Sequence, residues 1–407
     1  MDLFISLRRR YGRRLFAVVA SAGCLAAAEP AALEQRLLAL ESKVDALQKE
    51  NAALRREVGR PPADAPTIAP SGKEPKLLVG GFTQAQAEFG DAGDGRFAGI
   101  NDRLYFRRAR IYLSGSFAEN FEFKIEGDFG GNSLAAGTGL RAQANEIYLN
   151  WSRYPAANIR IGQLKPAFGT EQLTSDTKTP TIERFLANDR LVDGRQLAVS
   201  VGGDLFGKRV SYLVVVGNGN GANVSANDNN KFLTSARLVA VAFDEKEAGK
   251  LSVSANAMHS EDNSLSKAGI GFDAVPGGAV DNLFVGRRDT WGLEASWHHG
   301  LVDLSTEFLR VNFRPFNRIP SGSFHAQGWH ATAGYFVVPG ALQAIVRREE
   351  FDPNNFVGSD RTENWVLGLN YLIKGDDIKL QANYIFGRAA GLPGDHGRLI
   401  TRMQIIY

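Results

Sequence analysis

Cysteine is almost absent from this chain of 407 residues: Cys24 is the single one, and histidine occurs six times. One cysteine excludes an internal disulfide and any cysteine-built metal site. The six histidines show no HExxH spacing and no catalytic constellation, so neither a zinc hydrolase nor a Ser/His lipase at a barrel rim is expected. No metal site and no cofactor is expected. "GNGNG" at 217–221 opens a loop rather than a helix and is no phosphate-cradling motif. Strong charge of either sign is also missing. The net charge of +3 hides a contribution of +4 from the first 28 residues, where five arginines face Asp2, leaving −1 for the remainder. A chain so near neutrality has no bulk attraction to nucleic acid. No apolar run reaches the ~20 residues of a spanning helix.

What is present begins with a leader. Residues 1–28 have a basic start, an apolar run from Leu15 and small residues "LAAA" before Glu29, the parts of a signal peptide cleaved after Ala28. "SAGC" around Cys24 lacks the Leu a lipoprotein site would carry three residues earlier. Cleavage removes the only thiol, so the mature chain enters the oxidising periplasm without cysteine. Within 29–59, Leu33, Leu37, Leu40, Val44, Leu47, Leu54 and Val58 return at spacings that build a heptad seam, with Asn51 at one seam position. A short coiled coil is expected there, followed by the Pro-rich linker 60–75.

From residue 76 the chain is rich in Gly and Phe and reads as all-β. Sixteen strands are expected at about 76–90, 103–117, 120–130, 142–153, 157–164, 195–204, 208–217, 232–244, 248–260, 287–299, 301–314, 325–338, 340–351, 362–374, 376–388 and 396–407. Their connections alternate. "AEN", "YPAA", "LFGK", "HHG", "PG" and "KGDD" are short, whereas 91–102, 165–194, 217–231, 261–285 and 352–361 are long. Short turns at one end and long loops at the other mark an antiparallel transmembrane β-barrel of the Gram-negative outer membrane.

Aromatic placement agrees, because Trp291 and Trp297 bracket Leu293 and Ala295 while Trp365 and Tyr371 bracket Leu367 and Leu369. A sixteen-stranded cylinder is too wide for side chains to fill, so its inner face is wet. Alternation then sends Phe121, Phe123, Ile125 and Phe129 to lipid, and Glu122, Lys124, Glu126 and Asp128 to the lumen. In the preceding strand Arg108 and Arg110 point inward, and Arg107 falls on the lipid parity, where it would have to snorkel.

"RRARIYLSG", "FKIEGDF", "NEIYLNW", "IGQLKPAFGTE", "IERF" and "DGRQLAVSVGG", taken in order over 76–407, resemble the phosphate-selective porin O and P family. That resemblance implies a homotrimer of sixteen-stranded barrels, a third loop folded into each pore, and Arg and Lys side chains that guide phosphate or other small anions. The segment 165–194 fits the folded loop. It contributes Lys165, Lys178, Arg184 and Arg190, with Arg195 just after, and the inward Arg108, Arg110 and Lys124 complete the candidate anion contacts. Lys178, Arg190, Arg108 and Arg110 lead that set. Acidic Glu171, Asp176, Glu183, Asp189 and Asp193 share the loop and offer it internal salt bridges instead. Two functions follow: passive uptake of anions, or general diffusion combined with an envelope tether in which the coiled coil contacts the cell wall.

Overall fold

A computed structural model describes Lys43 and residues 76–131, 140, 142–272, 283–316, 322–389, 392 and 397–407 of the chain. The expected signal peptide and the linker lie outside the described residues, as does the coiled coil apart from Lys43.

Sixteen strands form: β1 (Lys76–Gly90), β2 (Arg103–Phe117), β3 (Phe121–Asp128), β4 (Gln143–Tyr154), β5 (Ala157–Leu164), β6 (Gln196–Leu205), β7 (Val210–Gly217) and β8 (Leu233–Glu245) make the first half. The second half is β9 (Gly249–Leu265), β10 (Phe284–His299), β11 (Val302–Pro315), β12 (Phe324–Val338), β13 (Leu342–Asp352), β14 (Thr362–Lys374), β15 (Ile378–Arg388) and β16 (Gly397–Ile406). Each pairs antiparallel with its sequence neighbours, and β1 pairs with β16 to close the barrel. Closure leaves no unpaired edge, as a sheet in hydrocarbon requires.

Alternation sorts the faces as expected. Phe121, Ile125 and Phe129 are exposed on the outside, with Trp291, Trp365 and Tyr371, whereas Glu126 and Asp128 are buried inside.

One expectation fails, at Arg107. The register between β1 and β2 runs Gln84 to Arg108 and then Ala85 to Phe106, so Arg107 is an extra residue in a β-bulge. A bulge shifts the side-chain parity by one. Arg103, Tyr105 and Arg107 therefore turn inward below it and Arg108, Arg110 and Tyr112 above it, and Arg107 is buried inside the barrel rather than placed against lipid.

Candidate functional site

The segment between β5 and β6 folds back into the lumen and carries two short helices, α1 (Thr170–Leu173) and α2 (Leu186–Leu191). Irregular backbone at that depth must find hydrogen-bond partners other than water or sheet. The barrel wall supplies them. Lys379 Nζ donates to the Thr177 carbonyl at 2.7 Å, Asn370 Nδ2 to Pro180 at 2.8 Å and Arg402 Nη1 to Ile182 at 2.8 Å. In return the Ile182 N–H donates to Asn383 Oδ1 at 2.7 Å, and the Ala167 N–H to Ser235 Oγ at 2.8 Å.

Apolar packing fixes the other flank of the loop. Phe185, Leu186, Ala187 and Leu191 are buried against Leu309, Val311, Phe313, Phe324 and Phe351 of the inner wall. Gly328 on β12 makes room, since a Cβ there would meet Ala187 Cβ at 2.3 Å.

Charges complete the anchorage, and most of the sequence candidates are used here. Asp176 takes Arg108 at 3.2 Å, Arg110 at 2.8 Å and Arg184 at 2.7 Å. Burial pushes the Asp176 carboxyl up, but Arg108, Arg184 and Arg110 outweigh it and hold the group well below the usual carboxylate range. Glu183 takes Arg107 at 3.1 Å and Arg402 at 2.9 Å, and those guanidinia likewise overcome burial to keep it ionised. Glu171 pairs with Arg347 of β13.

Filling one flank leaves an open cavity of about 960 Å³ along the β2–β7 wall. Its charged lining is balanced, with Arg110, Lys124, Arg160, Lys165 and Arg195 against Glu122, Glu126, Glu146, Asp176 and Asp204. Lys124 pairs with Glu126 at 2.6 Å and Glu146 at 3.0 Å, and Arg195 with Glu146 at 2.8 Å. Among the described residues, no carboxylate lies within ion-pair distance of Lys165 or Arg160.

Lys165 donates from Nζ to the Gln172 carbonyl. Burial, with Arg184 and Arg195 nearby, pushes its ammonium down to about 7 against the pull of Asp176. Arg160 lies with its guanidinium carbon 4.2 Å from the ring centroid of Tyr148.

The sequence candidates therefore separate. Arg110, Lys124, Lys165 and Arg195 line the cavity; Arg108 and Arg184 serve the loop's anchorage. Lys178 is exposed, Arg190 is half-buried, and neither lines the cavity. Arg160 was missed, although its parity in "NIRIGQL", between the outward Ile159 and Ile161, was sufficient to place it inside.

Known proteins share this architecture. Porin O of Pseudomonas aeruginosa is 22% identical to the chain over 409 residues, covering 84% of this chain and 90% of that protein. The anion-selective porin from Comamonas acidovorans superposes with a TM-score of 0.57 at 15% identity, over 82% of this chain and all of the other. The outer membrane channel DcaP of Acinetobacter baumannii gives 0.52 at 14% identity, over 82% and 97% of the two chains. The family described as phosphate-selective porin O and P matches residues 81–390. With a closed sixteen-stranded barrel, a loop folded into its lumen and that match over most of its length, the chain belongs to the phosphate-selective porin O and P family.

Proposed function

We propose that the chain is an outer-membrane porin through which small anions, phosphate among them, diffuse passively along the β2–β7 cavity, and that it works as a homotrimer. The observation that carries the anion preference is the state of the lining. Five cations line the open cavity, and two of them, Lys165 and Arg160, have no carboxylate within ion-pair distance among the described residues. Fixed charge in a narrow passage sets which ion enters. Membership of the family and the likeness to an anion-selective porin support the same reading.

Single-channel recording in planar bilayers tests it. Folded, heat-modifiable protein should show steps in groups of three, and the reversal potential in a salt gradient should indicate anion preference, with current reduced by added phosphate. Absence of steps removes the porin reading. A permeability ratio near one supports the second reading, a general diffusion pore, which the equal numbers of lining acids and bases favour.

The reading extends to segments outside the described residues. Signal-peptide cleavage after Ala28 would release a mature chain whose coiled coil at 29–59 contacts the cell wall. Mass measurement of the purified protein and sedimentation with peptidoglycan test the two statements separately.

A further inference from the structure

We propose that Arg160, seated on Tyr148, is the specificity-determining residue of the pathway and that the cavity beside it takes a planar organic monocarboxylate; this rests on the anion-porin reading above.

The seat is built by the sheet. Asn150 of β4 pairs with Arg160 of β5, and Tyr148 pairs with Gly162. Gly162 holds φ of +147°, and a Cβ there would meet the Ile147 carbonyl oxygen at 2.0 Å. The absent side chain lets β5 approach the backbone of β4 closely at this point, and two residues along the strand Arg160 lies against the Tyr148 ring. A second cation, Lys124, stands 4.9 Å from the centroid of Tyr112. Lys124 is also the cross-strand partner of Tyr148, so four consecutive strands present two tyrosines and two cations to one space.

The chemistry follows from the contact. A guanidinium that stacks on a ring leaves its planar N–H fork available to a carboxylate, which it meets with two parallel hydrogen bonds. A conjugated body entering the cavity that Arg160 lines can stack on a guanidinium by the same kind of contact. Lys124 is engaged by Glu126 and Glu146, whereas Arg160 has no carboxylate within ion-pair distance among the described residues and thus lacks a counterion.

Charge number decides between a monoanion and a polyanion. Against the five carboxylates that line the same cavity stand four cations besides Arg160, so a negative charge beyond the one Arg160 neutralises meets a net repulsion across a passage of reduced dielectric. The volume of about 960 Å³ admits an organic body as well as its carboxylate.

Current block in planar bilayers separates the possibilities, using the full-length protein with benzoate, cyclohexanecarboxylate and orthophosphate as probes. Benzoate and cyclohexanecarboxylate share charge and similar size but differ in planarity. Benzoate should block about two- to fivefold more tightly than cyclohexanecarboxylate, the range a cation–aromatic contact supplies. Arg160→Lys keeps the charge but loses the fork, and should erase that preference. Tyr148→Leu should lower benzoate block in the same way. Arg160→Gln should lose that preference and lower anion selectivity in simple salt as well. Equal block by the two carboxylates, tighter block by orthophosphate, or an unchanged preference in Arg160→Lys would each overturn the assignment while leaving an anion porin in place. A protein without channel steps would instead remove the reading on which the assignment rests.

Discussion

The two flanks of the lumen use the same residue types to opposite ends. On the flank made by β10–β16, β1 and the bulge at the start of β2, arginines are numerous and deeply buried, and each of Arg347, Arg402 and Arg107 ends on a carboxylate of the infolded loop. The β2–β7 flank borders the open cavity, and two lining cations there, Lys165 and Arg160, lack such a partner among the described residues. A pore arginine is thus no evidence of ion contact until its counterion is known. Charges on the first flank, with Arg108 and Arg110 of β2, hold the constriction; Lys124, Arg160, Lys165 and Arg195 line the open cavity.

Breaking the first flank should give the largest effects. Glu183→Gln leaves Arg107 and Arg402 buried without their shared carboxylate, and loss of one partner of a buried pair costs about 3–5 kcal/mol. Heat-modifiability should fall to a lower temperature, and Arg107→Gln should act in the same direction with a smaller loss, because Arg402 still neutralises Glu183. An Arg107→Gln protein as stable as the parent would contradict the inward, paired placement of that residue.

A gentler perturbation moves the loop without touching charge. Gly328→Val forces a side chain into the space of Ala187, and overpacking of this kind costs about 1–3 kcal/mol. Displacing α2 from the wall should widen the passage and raise single-channel conductance, with noisier open levels. Unchanged conductance in a stably folded variant would show that α2 does not set the aperture.

The second flank should respond to pH through Lys165. Its ammonium is charged below about 7 and increasingly neutral above it, so anion preference should weaken as pH rises from 6 to 9. Lys165→Arg keeps its charge over this range and should remove the dependence. Stability should move the other way. Between about 7 and the ordinary lysine value of about 10.4 the unfolded chain holds a proton that the folded chain does not, so stability rises with pH in that window. A selectivity that is flat from pH 6 to 9 would place Lys165 away from the ion path.

How far the sequence anticipated this division depends on the length scale of each feature. Strand number, the alternation of loop lengths and the facing of Phe121 to Asp128 were legible, because period-two patterning and turn composition are local properties. The bulge at Arg107 was not, since "RRAR" reads as uninterrupted strand and the extra residue appears only against the register of β1. Nor was the pairing of the infolded loop. Glu183 and Arg402 are 219 residues apart, and nothing local says that one neutralises the other. The candidate cations were therefore found largely by family resemblance and parity, while their division into anchors and lining awaited the fold.

The smallest effect belongs to the pair the sequence favoured, Lys178 and Arg190. Lys178 is exposed and has no side-chain ion pair among the described residues. Arg190, on α2, is half-buried and without an ion pair there, and burial together with Arg96 lowers its proton affinity. Neither is among the residues that line the β2–β7 cavity, so each acts on a permeating ion only through space, subject to the ~10 Å screening length at 0.1 M salt. The double substitution to Gln should shift the reversal potential toward cation preference at low salt by less than Arg160→Gln does, and the shift should vanish as salt is raised toward 1 M, where screening shortens to ~3 Å. A shift that persists at 1 M, or that exceeds that of Arg160→Gln, would place the ion path against the infolded loop itself and move the selective step from the open flank to the anchored one.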